Sequence, residues 1–134
     1  MTFMESVQPS VDTVYDQVTT RLASLDGPGL IEELRALLGA RLVAYLAGVS
    51  STSTVTSYID DAVIIPDHAR ERLQAAYTVA ALQHQLGATP GLIQAWFQGR
   101  VPPLNDRAPA RVIVDDPSFD RHRMISAAAA MVIE

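Results

Sequence analysis

The fold that this sequence predicts depends on one stretch, Leu42-Val43-Ala44-Tyr45-Leu46-Ala47-Gly48-Val49-Ser50-Ser51-Thr52-Ser53-Thr54-Val55-Thr56-Ser57-Tyr58-Ile59. Its first half is apolar, and its second half places hydroxyl side chains ahead of the anchors Val55 and Ile59. Gly48 lies between the halves, where a turn needs positive φ, and the small Ala44 leaves room for a second helix. This pattern is typical of a helix-turn-helix. Val55 follows Gly48 by seven residues, so the turn is expected to be one residue longer than usual.

The second half of the stretch has an alternative interpretation. Residues 49–59 are so rich in β-branched side chains that propensity alone would favour a strand. We favour a helix, because the neighbouring segments are predicted to be helical and leave no sheet for a strand to join.

Apolar residues recur at three- and four-residue intervals on both sides of this stretch, which predicts amphipathic helices. The boundaries follow from caps, glycines and prolines. The predicted helices are 11–25 (N-cap Ser10), a second with Pro28 in its first turn and ended by Gly39, 67–86 (capped by Asp67, ended by Gly87), 91–98 (after Thr89-Pro90), 108–114 and 119–132. In the helix 67–86 we expect Ala69, Leu73, Ala76, Tyr77, Ala80 and Ala81 inward, and Arg70, Glu71, Gln74 and Gln83 outward.

Two connectors separate these helices. Val63-Ile64-Ile65 is predicted to be a short extended segment against the core, ended by Pro66. Residues 100–106 are predicted to be a loop, because Pro102 and Pro103 disfavour helix and strand. The fold class is therefore an all-α helical bundle, divided into an arm and helix (1–26), a helix-turn-helix domain (27–66) and a C-terminal helical domain (67–134).

Composition supports this fold class and limits the function. Hydrophobic residues make up 49% of the 134 residues and aromatic residues only 6%, which favours an aliphatic core between helices. The net charge is −5, and all ten cations are arginines. Such a chain repels nucleic acid unless its arginines gather on one face, which counts against tight DNA binding.

No metal site, disulfide or membrane span is predicted. Cysteine is absent, and His68, His84 and His122 lack ligand spacing. The N-terminus has no leader pattern, and no apolar run reaches the roughly 18 residues of a membrane span. We expect a soluble, cytoplasmic protein.

Catalysis is not predicted either. The pairs Asp60-Asp61 and Asp115-Asp116 lie beside predicted helix ends, where solvated carboxylates are common. The hydroxyls of residues 50–57 have no neighbouring His or Lys to activate them. We expect a non-enzyme without a cofactor.

Four segments carry a resemblance to a known family. They are residues 42–59, Arg72-Leu73-Gln74-Ala75-Ala76-Tyr77, Ala95-Trp96-Phe97-Gln98-Gly99 and Pro103-Leu104-Asn105-Asp106-Arg107-Ala108-Pro109-Ala110. In order and spacing they resemble the Xre/MbcA/ParS antitoxins, partners of RES-domain toxins, over roughly residues 30–134. The Trp-Phe-x-Gly turn followed by Pro-x-Leu and Ala-Pro-Ala is the most specific part.

The resemblance implies a Xre-like helix-turn-helix followed by a region that binds a toxin that consumes NAD. In such complexes the antitoxin's last segment blocks the toxin's substrate pocket, and many members repress their own operon. The implied toxin-binding residues are Trp96, Phe97, Gly99, Leu104, Arg107, Pro109, Met131, Val132, Ile133 and Glu134. The implied DNA-binding residues are Ser51, Thr52, Ser53, Thr56 and Ser57.

This chain departs from the family at the second helix of the motif, where relatives commonly carry Arg and Trp. Hydroxyls bond phosphates and base edges but release no counterions, so low affinity for operator DNA is expected. A homodimer is also expected.

Three alternatives remain open at the level of sequence. Trp96 fits a core position or an interface anchor. The arginines at 107, 111, 121 and 123 fit a solvated face or a basic rim for an acidic partner. For the whole chain, the alternative function is a helix-turn-helix transcriptional regulator without a toxin, of phage or mobile-element type.

Overall fold

The structure is a computed structural model that describes residues 10–61 and 63–133. These residues form eight α-helices, one 3-10 turn at Pro102–Leu104 and no sheet, which confirms the all-α fold class. The helices are α1 (Val11–Ser24), α2 (Gly27–Leu38), α3 (Ala40–Ala47), α4 (Thr52–Asp60), α5 (Asp67–Gln85), α6 (Pro90–Gln98), α7 (Pro109–Asp115) and α8 (Arg121–Ile133).

The longest helix, α5, lies at the centre of the bundle. It packs against α1, α2, α3, α6, α7 and α8, and ten of its residues are buried. Many of these are alanines, whose small side chains let neighbouring helices approach from several directions. One buried apolar cluster draws residues from every helix. The division into three domains stays a prediction.

Most of the predicted caps are present. The hydroxyls of Ser10 and Thr89 accept hydrogen bonds from the amides of Thr13 and Leu92. Asp26 caps α2 by accepting from the Gly29 amide, and Pro28 lies in the first turn of α2, as predicted. The expectation that Asp67 caps α5 is wrong: Pro66 is the N-cap, because its extended backbone lets its carbonyl accept from the Arg70 amide at 2.8 Å.

The predicted helix-turn-helix segment forms two helices joined by a short turn. Residues 48–51 connect α3 to α4, and Gly48 has φ 78° and ψ 26°. Ala44 is buried in α3, and Val55 is buried in α4. The segment is helical despite its β-branched residues, because Ser51 caps α4 and because Val55 and Tyr58 bury against α2 and α3.

The connectors differ in part from the prediction. Only Ile65 packs inward, against Gly27, whereas Val63 and Ile64 are exposed, Ile64 by 84%. Within residues 100–106, the prolines occupy the first positions of the 3-10 turn, where no amide hydrogen is needed. Across the ranges 10–61 and 63–133, no helix has both the length and the hydropathy of a membrane span.

Candidate functional site

The C-terminal segments of the family resemblance come together around α6, the 3-10 turn, α7 and α8. The turn packs against α8, and α6 packs against α7. Phe97, Leu104 and Pro109 are buried here. These three side chains pack in the core and support the exposed residues around them.

Trp96 lies at the edge of the core, so a role as an interface anchor stays a prediction. Its ring meets Phe97 edge-to-face, with ring centroids 5.6 Å apart, and it packs against the core while remaining partly exposed. A partly exposed Trp offers a large contact area at little cost in conformational entropy.

Gly99 and Arg107 lie in the segment that follows Trp96 in the chain. A Cβ at Gly99 would lie 3.1 Å from the Ala95 carbonyl oxygen, so this close turn favours glycine. Arg107 is exposed, and a β-bridge to Val101 holds its backbone. Its Nε donates to the Leu104 carbonyl at 3.4 Å.

The end of α8 is an exposed apolar terminus. Met131 and Val132 are partly buried, and Ile133 is 51% exposed. The predicted toxin-binding residue Glu134 lies outside the described residues. Earlier in α8, Met124 and the alanines at 127–129 bury against the rest of the bundle.

The α5–α8 interface contains a polar group that sequence reasoning placed wrongly. Gln83 was expected to face outward, but its side chain is 0% exposed. Its Nε2 donates to the Ala128 carbonyl at 3.4 Å, and its Oε1 has no hydrogen-bond partner among the described residues. The helical spacing from Ala76 and Ala80 to Gln83 places all three on one face, a signal that could have revealed the burial.

The candidate DNA-binding residues lie at the start and along the outer side of α4. Ser51, Thr52, Ser53 and Thr56 are exposed, and Ser57 is partly exposed. Their hydroxyls make local bonds: Thr56 donates to the Thr52 carbonyl and Ser57 to the Ser53 carbonyl. These hydroxyls would have to reorient in order to bond a nucleic acid.

The charge around α4 opposes nucleic-acid binding. The helix carries no basic residue, and Asp60 and Asp61 are exposed at its C-terminal end. Carboxylates at that position repel phosphates, and no cation on α4 offsets them.

The four C-terminal arginines have partners close in sequence. Arg111 pairs with Asp115 at 3.4 Å, and Arg123 approaches Asp120 at 4.0 Å. The Arg121 guanidinium lies 5.3 Å from the centre of the Phe119 ring. All of these contacts are exposed, so they hold the cations only weakly.

Arg72 links α5 to the helix-turn-helix. Its Nη2 donates to the Ala47 carbonyl at 3.4 Å, at the end of α3, while its Nε is buried without a partner among the described residues. A cation next to the last carbonyls of a helix stabilises that end. Sequence reasoning gave this residue no role.

Arg21, Glu33 and Tyr77 form a polar network between α1, α2 and α5. Arg21 pairs with Glu33 Oε2, and Tyr77 donates to Glu33 Oε1 at 2.8 Å. Burial raises the pKa of Glu33, but the hydrogen bonds from Arg21 and Tyr77 and the Arg21 charge outweigh it, so the net pKa falls below 4.5. Burial and the bond to Glu33 raise the pKa of Tyr77 to about 12. Both shifts move the pKa values away from neutral pH, so the charges of Glu33 and Tyr77 stay constant there. This suits a network whose role is to hold the three helices together.

Metal-binding residues do not gather in the part of the chain that the structure describes, where no three His, Asp or Glu side chains come together as ligands. Comparisons with protein-family models, curated proteins and solved structures find no match to this chain. The exposed surfaces described above are therefore the basis for inferring function.

Proposed function

We propose that this protein is the antitoxin of a type II toxin–antitoxin pair, which neutralises a RES-type, NAD-degrading toxin by capping its active-site pocket. The observation that supports this most is the apolar terminus of α8, next to the segments that resemble the antitoxin family. Trp96 and Arg107 remain accessible in those segments.

In this proposal α8 acts as a plug. Its alanine face stays on the bundle, and its last turn enters the toxin's pocket and excludes NAD. Transfer of the exposed part of Ile133 from water to an apolar pocket would contribute about 1–2 kcal/mol. Trp96 and Arg107 belong to residue types that are enriched among interface hot spots, and they would anchor the surrounding contact.

Co-expression with the product of the neighbouring gene tests this proposal. Expressed alone, that product should deplete cellular NAD and stop growth, and co-expression of this protein should restore both. Ile133→Asp should weaken inhibition at least about tenfold, since it places a charge in the apolar contact. The matched control is Val63→Asp, because Val63 is similarly exposed, at 49%, but lies in the connector before α5.

Two outcomes would contradict the capping proposal. The first is a neighbouring product that does not consume NAD. The second is an Ile133→Asp variant that inhibits as well as the wild type, as Val63→Asp is expected to do. Melting temperatures of both variants should match the wild type, since both side chains are exposed.

A second candidate function is a transcriptional regulator that binds DNA as a homodimer. The helix-turn-helix geometry and the exposed hydroxyls of α4 favour it. A mobility-shift assay with the upstream region, repeated at rising salt, is the test. Because hydroxyls release no counterions, we expect weak binding with a shallow salt dependence, further weakened by Thr56→Ala but not by Thr20→Ala on α1. Absence of binding at low salt would rule this function out.

A further inference from the structure

An open groove lies between the start of α3, the second half of α6 and the first turn of α7. Its volume is about 730 Å³. Its lining includes Ala40, Arg41 and Leu42 from α3, and Ala108, Ala110 and Arg111 from the start of α7. No residue of α8 is among the lining residues, so the groove is separate from the proposed toxin-capping terminus.

The groove has an apolar floor. Among its apolar lining residues, Leu42 and Ala110 are almost fully buried, while Ala40 and Ala108 are partly exposed. Tyr45 stands at the side and is 43% exposed. A concave apolar surface with a few polar groups is the usual form of a binding site.

The charge of the groove is opposite to that of the chain. Arg41 and Arg111 both line it and are exposed, and no lining residue is acidic, although the chain carries a net charge of −5. Arg111 also pairs with Asp115, but that pair is well exposed on both sides and worth little, so a ligand carboxylate can replace it. Guanidinium groups bind carboxylates in bidentate geometry.

The start of α3 adds to this preference for anions. Gly39 precedes the helix with φ 86°, and no side chain caps the helix start. The first amides of α3, which lie at the groove end of the helix, therefore have no side-chain acceptor. Free amides at a helix start favour negative charge.

We propose that this groove binds an acidic amphipathic peptide segment of a partner protein. Its carboxylates would pair with Arg41 and Arg111, and a large apolar side chain would cover Ala40 and Ala108. A peptide fits better than a small molecule, because the groove is open to solvent whereas small-ligand sites enclose most of their ligand. This proposal goes beyond the antitoxin function and does not depend on it.

The experiment uses the full-length protein and a phage-displayed library of random 12-residue peptides. Enriched sequences should combine Asp or Glu with Leu, Phe or Trp. Synthesised with a fluorescent label, they should bind at least about tenfold more weakly to the double variant Arg41→Glu/Arg111→Glu. Amide resonances of Ala40, Gln98 and Ala108 should shift on binding.

Arg123→Glu is the matched control, because Arg123 is also exposed and also lies near one aspartate of its own segment. It should bind the peptides within twofold of the wild type. If the Arg41→Glu/Arg111→Glu variant does not fold, the milder double variant Arg41→Gln/Arg111→Gln takes its place. It should also bind the peptides more weakly than the wild type.

Several outcomes would overturn the proposal. These are no enrichment, enriched peptides without carboxylates, equal binding by the double variant, or resonance shifts away from the groove. A self-associating wild type that the double variant makes monomeric would assign the groove to a second copy of the chain. Labelled duplex DNA that competes for the groove would assign it to nucleic acid.

Discussion

Gly48 ends α3 in the left-handed conformation, and an added Cβ there would lie 2.8 Å from Arg72 Nη2. The flexible guanidinium can move, so the main cost of a side chain is the backbone conformation. We expect Gly48→Ala to lower the free energy of unfolding by about 1–2 kcal/mol, measured by urea denaturation.

The matched control for that prediction is Gly91→Ala. Gly91 lies in the first turn of α6, and an added Cβ would have only Thr89 Oγ1 within 4.0 Å. This change should be neutral or stabilise by up to about 1 kcal/mol, since alanine reduces the freedom of the unfolded chain. Equal stabilities of the two variants would show that the turn does not require glycine.

The lowered pKa of Glu33 predicts how the free energy of unfolding changes as the pH falls. Because its folded-state pKa lies below the ordinary 4.5, its ionised form contributes stability above that pH, and the contribution is lost as the pH falls through the folded-state pKa. Glu33→Gln should cost about 0.5–1 kcal/mol at pH 7, and the difference from the wild type should shrink below pH 4.5. Urea denaturation from pH 7 to pH 3 checks this. A pH-independent difference would show that the charge of Glu33 is not what stabilises its network with Arg21 and Tyr77.

At the scale of elements, the contact between α5 and α8 contains a buried polar side chain that contributes unfavourably to the stability of the fold. Gln83 makes one long hydrogen bond, and its Oε1 stays unpaired among the described residues. A buried amide with an unsatisfied oxygen is less favourable than an apolar side chain of similar size. We expect Gln83→Met to leave stability unchanged or raise it by about 1–2 kcal/mol.

Thermal unfolding of Gln83→Met and Gln83→Ala separates polarity from volume. The alanine variant should be less stable than the methionine variant, because it leaves a cavity beside α8. If methionine instead destabilises the protein by more than about 1 kcal/mol, the hydrogen bond to Ala128 is worth more than its length suggests.

The helices themselves were largely predictable from caps and periodicity. Ser10 and Thr89 do cap helices as predicted, because capping depends on side chains within three residues of the helix start. Asp67 did not cap α5, since the extended Pro66 takes that position. In α4 local propensity pointed to a strand, and burial of Val55 and Tyr58 decided for a helix.

For the whole molecule, the common core predicts cooperative unfolding. The buried apolar cluster draws on all eight described helices, and α5 contacts six of the others. Fluorescence of Trp96, the only tryptophan, and far-UV circular dichroism should therefore give the same urea midpoint. Midpoints that differ would instead support the independent domains predicted from the sequence.

The sequence by itself determined the all-α class, the helix-turn-helix around Gly48 and most helix boundaries, because these follow from local patterns of caps, glycines and apolar spacing. Only the tertiary structure decided that Gln83 is buried, that Phe97, Leu104 and Pro109 face the core, and that Arg41 and Arg111 line one groove. Those facts depend on which helices meet across long separations in the chain. Local periodicity identifies an inward face but not the neighbour that covers it.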